Sequence, residues 1–300
     1  MYIGVDATCW WNRRGFGRFT RGLLRGMFAA RRGHRFCLFV DHPAEMEMSH
    51  PDVRVVEIRT NRAVTESAVA DSRRSVRDVI RFSRAVAAER VELVFFPAVY
   101  SWFPVSRGIP NVVTIHDAIA EHWPSLVFPD LKGRLFWTLK MRLACSRASR
   151  IVTVSHSAKQ EIVDYIGVGS ERIDVISEGA DPCFIPVTAI ELRTDARRCA
   201  GIPLEGRLLL YVGGIAPHKN LSGLLAGFSR VAALVPDLHL AIVGDPAGSG
   251  FHSNYHELML QASGDERLSG RVHFAGFVSD NHLAALDSDA LATVLPSFSE

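Results

Sequence analysis

The segment 213–220 carries the clearest chemical pattern in this chain. Residues 208–212 form an apolar run typical of a strand buried on both faces of a parallel sheet, and Gly213 and Gly214 follow it. Asn220 is a predicted N-cap, because apolar residues then repeat at helical spacing. A glycine turn leading into a helix points N–H groups at an anion, and Lys219 adds a positive charge. The pattern predicts a diphosphate site, although an ordinary strand–helix turn with a solvated lysine explains it too.

A second pair of chemically capable residues follows the predicted strand NVVTI. His116 and Asp117 stand where that strand ends, and open α/β sheets bind ligands at the carboxyl ends of their strands. We therefore interpret the pair as part of an active site. The alternative is a buried histidine with a structural carboxylate partner.

Composition describes a soluble globular protein with room for two domains. The chain has 300 residues, of which 48% are hydrophobic and 22% charged. The most apolar stretch, LVFFPAVYSWFPV, is short and interrupted by prolines, and the first residues lack the features of a signal peptide. A cytoplasmic location is expected. The five cysteines are scattered without a CxxC pair, which predicts reduced thiols and neither a disulfide framework nor a zinc site.

The net charge of +2 conceals an asymmetry between the two halves. Residues 1–150 carry 24 basic and 14 acidic side chains, a balance of +10, whereas residues 151–300 carry 10 and 18, a balance of −8. The basic half favours an anionic partner such as phospholipid headgroups, a lipid-phosphate acceptor or nucleic acid, or is simply a solvated surface. Within it, LKGRLFWTLKMRLACSR interleaves leucines with basic residues. This segment fits a membrane-surface helix, or a core helix with a basic outer face.

Strand-like and helical runs alternate along the chain, which predicts a doubly wound α/β architecture. Seven strands are expected in the first half, with helices near 16–32, 71–89, 131–148 and 157–166, the last capped by Ser157. A polar stretch ending in GIPLEG is the predicted interdomain linker. The alternation then restarts with four strands and with helices at 221–234, 255–263 and 281–287.

Two other motifs are weaker. Asp287-Ser-Asp289 has the DxD form of a metal-binding motif, but it lies between a predicted helix and strand, where acidic residues cap and solvate a turn. Activity is therefore expected to survive removal of metal, and replacing Asp289 is expected to leave activity nearly unchanged. Gly15-Phe-Gly17, with Asp41 after the second strand, has part of a dinucleotide fingerprint but lacks its third glycine.

Several segments occur in an order that resembles one family. They are IGVDA with GFGRFTRGLL, TIHDAIAEHWP, IVTVSHSAKQEIVDYIGV, ERIDVISEGAD, YVGGIAPHKNLSGLLAGF, AIVGD, VHFAGFVSDNHLAAL and VLPSFSE. Together they resemble the retaining, nucleotide-sugar-dependent glycosyltransferases of family 4. The resemblance implies the GT-B fold, with two Rossmann-like domains facing a cleft. Residues 1–184 would form the acceptor-side domain and residues 185–300 the nucleotide-sugar-binding domain.

The resemblance also assigns roles to the donor-side residues. Lys219 would bind the donor diphosphate with Gly213, Gly214 and Asn220, and His218 stands where many relatives have arginine. Phe277 and Val278 would line the base pocket. Glu300 would hydrogen-bond the hydroxyls of the donor sugar.

On the acceptor side, the resemblance places His116, with Asp117, against the transferring sugar. Gly15, Gly17 and Arg18 would form a first loop that approaches the diphosphate. The implied reaction transfers a hexosyl group to a glycan or lipid-linked acceptor with retention of configuration. The reaction is expected to need no cofactor and no metal. A peripheral contact with the inner membrane face is compatible with this reaction, and nucleic acid is not an expected partner.

Two other functions remain open from the sequence. One is a non-transferring enzyme on the same fold, either a nucleotide-sugar epimerase or a phosphorylase. The other is an inactive fragment, since the family pattern continues beyond Glu300 into a glycine-rich loop and a second glutamate. We therefore expect a chain truncated at its C-terminus, inactive as a transferase and less stable in its second domain.

Overall fold

The computed structural model describes residues 1–12, 15–30, 32–41, 50–60, 75–128, 130–245 and 254–298. It divides into two compact units, Met1–Glu178 and Gly179–Glu300. Each unit is built on its own parallel sheet.

The first unit contains a sheet of seven strands among its described residues, in the order β3-β2-β1-β4-β5-β6-β7. Every neighbouring pair is parallel. Each strand coincides with one of the apolar segments that predicted it. The strands are β1 Tyr2–Asp6, β2 Arg35–Val40, β3 Val53–Glu57, β4 Leu93–Phe96, β5 Asn111–Thr114, β6 Arg150–Thr153 and β7 Ile173–Val175.

Six helices connect these strands in the described part of the unit. They are α1 Gly15–Ala29, α2 Val76–Ala88, α3 Ile119–His122, α4 Pro124–Val127, α5 Leu131–Arg147 and α6 His156–Glu161. The predicted cap of α6 at Ser157 is wrong. Ser155 has the extended backbone of an N-cap, and its side chain accepts a hydrogen bond from the Ala158 N–H at 3.0 Å.

Helix α5 corrects the interpretation of its leucines as core residues. Its buried face contains small residues, Trp137 and Met141. The leucines lie on the outer face instead, and their exposed fractions are 81% for Leu131, 72% for Leu135, 56% for Leu139 and 43% for Leu143. The leucine stripe therefore faces outward beside the basic residues.

The second unit contains a four-stranded parallel sheet in the order β10-β9-β8-β11. Its elements are β8 Arg207–Val212, β9 Leu238–Val243, β10 Val272–Gly276 and β11 Ala292–Thr293, with α7 Ile190–Cys199, α8 Leu221–Ala232, α9 Tyr255–Gly264 and α10 Asp280–Asp289.

Alternate residues of β9 pack on opposite faces of this sheet. Leu240 and Ile242 pack with residues of α8 and α9, whereas Ala241 and Val243 pack with residues of α7 and α10. Helices therefore cover both faces, as the doubly wound prediction requires. The α/β fold class with two parallel sheets is confirmed.

The predicted polar linker is not a linker along its whole length. It contains α7, which packs through Ala196, with Ala200 and Ile202 after it, into the core beneath the sheet. Small apolar residues on one helical face sufficed for this packing, and the surrounding charged residues concealed them in the sequence.

Candidate functional site

Glycines end three neighbouring strands of the second sheet and bring their backbones close together. The Gly213 N–H donates to the Val243 carbonyl at 3.0 Å, and the Gly244 N–H donates to the Gly276 carbonyl at 3.0 Å. A side chain at Gly244 is excluded, because its Cβ would lie 2.0 Å from the Gly213 oxygen. Sequence reasoning named Gly213 and missed the other two, although a glycine at each strand end was a readable signal.

The loop after β8 is open above Gly214 and then turns tightly. Among the described residues, no atom outside Gly214 and its two chain neighbours lies within 4 Å of the position that a Gly214 Cβ would take. The Tyr211 hydroxyl donates a hydrogen bond to the Gly214 carbonyl at 2.8 Å. Since Tyr211 belongs to β8, this bond ties the Gly214 carbonyl to the sheet. A short 3₁₀ turn, Pro217–Lys219, then leads to α8.

Asn220 stands at the start of α8 but does not cap it with its side chain. Its backbone is left-handed, with φ 53° and ψ 37°, and its side chain makes no hydrogen bond to the helix N-terminus. The Asn220 Nδ2 instead donates to the Pro296 carbonyl at 3.1 Å. The predicted side-chain cap is therefore wrong, and the first N–H groups of α8 are not occupied by Asn220.

The segment after β11 runs beside this loop. The Phe298 N–H donates to the His218 carbonyl at 3.0 Å, and Asn220 holds Pro296. Glu300, the predicted sugar-binding residue, follows two positions later and lies outside the described residues. The two segments that the sequence assigned to the donor are thus adjacent up to Phe298.

The remaining donor-side residues divide into exposed and buried positions. Phe277 is 60% exposed just after β10, where a base could stack on it, and Lys219 is half-buried. His218 is only 7% exposed, so its side chain faces the interior. Val278 is half-buried and packs against the core cluster that contains residues of α7 and α10.

In the first unit, His116 lies just beyond β5 and is held on three sides. Its Nε2 lies 3.0 Å from the Pro97 carbonyl oxygen, which can only accept, so Nε2 carries the proton. Its Nδ1 faces the Glu178 Oε1 at 3.7 Å, and the Phe19 ring meets the imidazole edge-on at 4.6 Å. The contacts with Pro97 and Phe19 fix the orientation of the ring. The Asp117 Oδ1 accepts a hydrogen bond from the Ile119 N–H at 3.1 Å, which gives that carboxylate a structural role at the start of α3.

The predicted first loop lies in a helix. Gly15, Gly17 and Arg18 belong to the first turn of α1, which reaches the site through Phe19. Gly17 is required for packing, because its Cβ would lie 1.8 Å from the Asn12 oxygen. Gly17 and Arg18 therefore lie in the helix that was predicted near 16–32, and its observed bounds are Gly15–Ala29.

A half-buried carboxyl group beside Asp117 was missed by sequence reasoning. Glu121 accepts a hydrogen bond from the Trp137 Nε1 at 2.7 Å. Burial raises the pKa of Glu121 to about 7, the hydrogen bond from Trp137 opposes this rise, and the charge of Asp117 adds to it. Burial also raises the pKa of the neighbouring Tyr100 well above its ordinary value, with smaller contributions from Asp117 and Glu121. In the sequence, a glutamate within the largely apolar segment AIAEHW could have indicated a buried carboxyl group.

The DxD aspartates are engaged by protein partners. Asp289 accepts a hydrogen bond from the Arg197 Nε at 2.5 Å, and Asp287 accepts one from the Thr293 hydroxyl at 2.9 Å. The Arg197 side chain is 7% exposed and also donates to the Pro203 and Gly206 carbonyls. Asp289 thus balances the charge of the buried Arg197, and its loss is expected to lower stability.

No helix among the described residues is long and apolar enough to cross a bilayer.

Two family models together match nearly the whole chain. Residues 13–183 match "Glycosyltransferase Family 4" and residues 193–300 match "Glycosyl transferases group 1". A D-inositol 3-phosphate glycosyltransferase of Mycolicibacterium gilvum is 29% identical over 201 residues, which are 66% of this chain and 43% of that relative. The corresponding protein of Mycobacterium bovis is 28% identical over 66% of this chain and 40% of its own length. The chain thus spans less than half the length of these relatives.

Solved structures share the fold at low identity. The sucrose-phosphate synthase of Thermosynechococcus elongatus superposes with a TM-score of 0.69 at 17% identity, over 99% of this chain and 76% of that structure. The Anabaena protein HepE, solved with UDP and glucose, gives 0.65 at 17% identity, over 97% and 72%. At these identities the neighbours establish the fold alone, which is GT-B. With its family model covering more than half of the residues, the chain belongs to glycosyltransferase family 4.

Proposed function

We propose that this chain takes a hexosyl group from a nucleotide-diphosphate sugar and contributes to its transfer, with retention of configuration, to a glycan or lipid-linked acceptor. The observation that carries the proposal is the loop 213–220. Gly214, a helix start that the Asn220 side chain does not cap, and Lys219 lie together at the carboxyl edge of the second sheet. The reaction needs stabilisation of the leaving diphosphate more than it needs a strong base, and this loop offers that stabilisation.

Family membership and the neighbours support the same chemistry. Two solved neighbours are complexes with UDP and glucose or with UDP-glucose, and another is a complex with glucose 6-phosphate. The acceptor in this proposal therefore has a hydroxyl-bearing sugar or polyol. Transfer needs no cofactor or metal in this proposal, because Lys219 and the helix N-terminus neutralise the diphosphate.

His116 is proposed to contact the transferred sugar. The donation from its Nε2 to Pro97 leaves Nδ1 for other partners, and the Glu178 Oε1 lies 3.7 Å from that atom. A fixed imidazole can orient a sugar hydroxyl without moving a proton far. If this assignment is right, His116→Ala weakens binding of the nucleotide sugar relative to the free nucleotide diphosphate. An equal loss for both ligands would contradict a sugar contact.

Donor binding is testable by calorimetry on the 300-residue chain with UDP, GDP and ADP and their glucose conjugates. We expect one nucleotide to bind and Lys219→Ala to weaken it by about 10- to 100-fold, because a charge-assisted hydrogen bond to phosphate contributes about 1.5–3 kcal/mol. Arg230→Ala is the matched control, since it removes an exposed positive charge from the far end of the same helix. Equal losses in both variants, or no binding of any nucleotide, would refute the proposed donor site.

We further propose that the outer face of α5 binds an anionic membrane surface during transfer to a lipid-linked acceptor. Four exposed leucines on one face, interleaved with Lys132, Arg134 and Arg142, support this proposal. Apolar side chains that enter the headgroup layer and basic ones that pair with phosphates act together at an interface.

Co-sedimentation with vesicles tests this contact. Leu135→Glu should reduce binding to phosphatidylglycerol-containing vesicles by at least about tenfold, since burying one leucine contributes about 1.5 kcal/mol and the new charge opposes insertion. Leu234→Glu, at an 82% exposed leucine just after α8, is the control. Binding that is unchanged by Leu135→Glu would exclude α5 as the contact.

A further inference from the structure

Three side chains of metal-binding type meet on the outer surface of the second unit. Asp195 and Cys199 belong to α7, and His282 belongs to α10. One ligand atom from each residue lies within 4.8 Å of the other two. The His282 Nε2 and the Asp195 Oδ2 are 3.3 Å apart. The group shares no residue with the loop 213–220.

Contacts between α7 and α10 hold these three side chains near one another. Asp195 and Cys199 are four residues apart, which puts them on one face of α7. The two helices are joined underneath by the Arg197–Asp289 ion pair and by packing of Ala196 in the core that contains Ala285. At the start of α10, the Ser279 hydroxyl accepts the His282 N–H at 3.3 Å, which fixes the first turn.

The spacing suits a tetrahedral ion with mixed ligands. With bonds of about 2.0–2.3 Å, two ligand atoms of a tetrahedral zinc site lie roughly 3.3–3.7 Å apart. The histidine–aspartate separation already meets this value. The third atom needs to move by about 1 Å, which a side-chain rotation on the surface supplies. All three residues are accessible to solvent, so an ion can reach them.

The local charges also favour a divalent cation. A carboxylate and a thiolate supply two negative charges, and Cys199 is the last residue of α7, where the helix dipole favours a cation. Asp280, in the first turn of α10, adds a further negative charge. The opposing group is Arg198, whose Nη1 lies 3.9 Å from the Asp195 Oδ1, an exposed pair that yields readily to a metal.

We propose that Asp195, Cys199 and His282 bind a zinc-type ion that joins α7 to α10, with water as the fourth ligand. On binding, the Cys199 thiol loses its proton to solvent and its sulfur donates to the metal, and neutral His282 donates through Nε2. Affinity therefore rises with pH. The ion stabilises the second unit and takes no part in sugar transfer, so the proposal is independent of the donor-site assignment.

Titration of the metal-free chain with Co²⁺ tests the site directly. We expect one equivalent to bind with a thiolate-to-cobalt absorption band, and Zn²⁺ to displace it. Because loss of even an outer-shell partner costs about 10–100-fold in metal affinity, loss of a ligand in Cys199→Ser should cost at least about 100-fold. His282→Gln should weaken binding similarly.

Two matched variants control for cobalt binding elsewhere on the chain. Cys183→Ser removes a different partly exposed thiol, and His256→Gln removes an exposed histidine of α9, and both should bind Co²⁺ like the parent chain. Zn²⁺ should raise the melting temperature of the parent chain and leave that of Cys199→Ser unchanged. A chain that gives no thiolate–cobalt band, or a Cys199→Ser variant that binds as tightly as the parent, would overturn the proposal.

Discussion

Glu121 makes the folding stability of the first unit depend on pH in a way that one substitution should remove. Its carboxyl group is half-buried beside Trp137, and burial raises its pKa from 4.5 to about 7. The folded chain therefore keeps a proton that the unfolded chain releases. The free energy of unfolding should decline as pH rises from about 4.5 to about 7, and level off above that.

The size of this decline follows from the two pKa values. Their difference corresponds to about 3 kcal/mol in total, and partial exposure of the carboxyl reduces this to about 2 kcal/mol between pH 5 and pH 8. Glu121→Gln keeps an oxygen that can accept the Trp137 hydrogen bond but cannot ionise. The variant should therefore gain about 2 kcal/mol over the parent chain as pH rises across that range.

Tryptophan fluorescence isolates the first unit in this measurement. All five tryptophans of the chain precede residue 178, and Trp137 is the hydrogen-bond partner of Glu121 itself. Urea unfolding would be followed at several pH values for the parent, for Glu121→Gln and for Glu57→Gln, which removes an exposed carboxyl group on β3. If Glu121→Gln and the parent keep a constant difference from pH 5 to pH 8, the carboxyl ionises normally and the argument fails.

Five further substitutions, at four positions, test the second unit. Circular dichroism reports unfolding of both units, and tryptophan fluorescence identifies the part that belongs to the first. Asp289→Ala should lower the free energy of unfolding by about 3–5 kcal/mol, because it leaves the buried Arg197 charge unpaired. The control Asp287→Ala should change this free energy little, and equal effects of the two substitutions would contradict the ion-pair argument. Burial lowers the pKa of His273 to about 4, and the charge of His239 lowers it further. The free energy of unfolding should therefore fall as pH falls from about 6.5 to about 4, and His273→Gln should flatten this dependence. A variant whose stability changes with pH in parallel with the parent chain would refute this explanation. Asn220→Ala should lower the free energy of unfolding by about 2 kcal/mol, through strain in the left-handed backbone and loss of the hydrogen bond to Pro296. Asn220→Gly should lower it less, because glycine adopts that backbone conformation freely. The reverse order would exclude backbone strain as the cause.

The periodicity of the sequence was sufficient to predict the architecture. Apolar runs such as YIGVD and LHLAIV are buried strands, and their alternation with helices leaves few arrangements other than parallel sheets. The same reasoning located the loop 213–220, because glycines directly after a buried strand are a local signal. Family resemblance then ordered these segments, and the family models agree with it.

Only the tertiary structure decided which side of an amphipathic element is buried. In α5 both faces carry large apolar residues, and the sequence cannot tell that Trp137 packs inward while Leu135 faces outward. Phe277 and Val278 illustrate the same limit, because Phe277 is 60% exposed whereas the next residue, Val278, is half-buried against a core cluster.

Contacts between distant segments were also beyond the sequence. The pKa of Glu121 depends on its burial in the folded chain, and the meeting of Cys199 with His282 depends on how α7 and α10 pack. Local patterns fix the conformation of short segments, since hydrogen bonds and side-chain periodicity act over a few residues. Electrostatics and metal geometry act between side chains that only folding brings together, and for that reason they could be read from the structure alone.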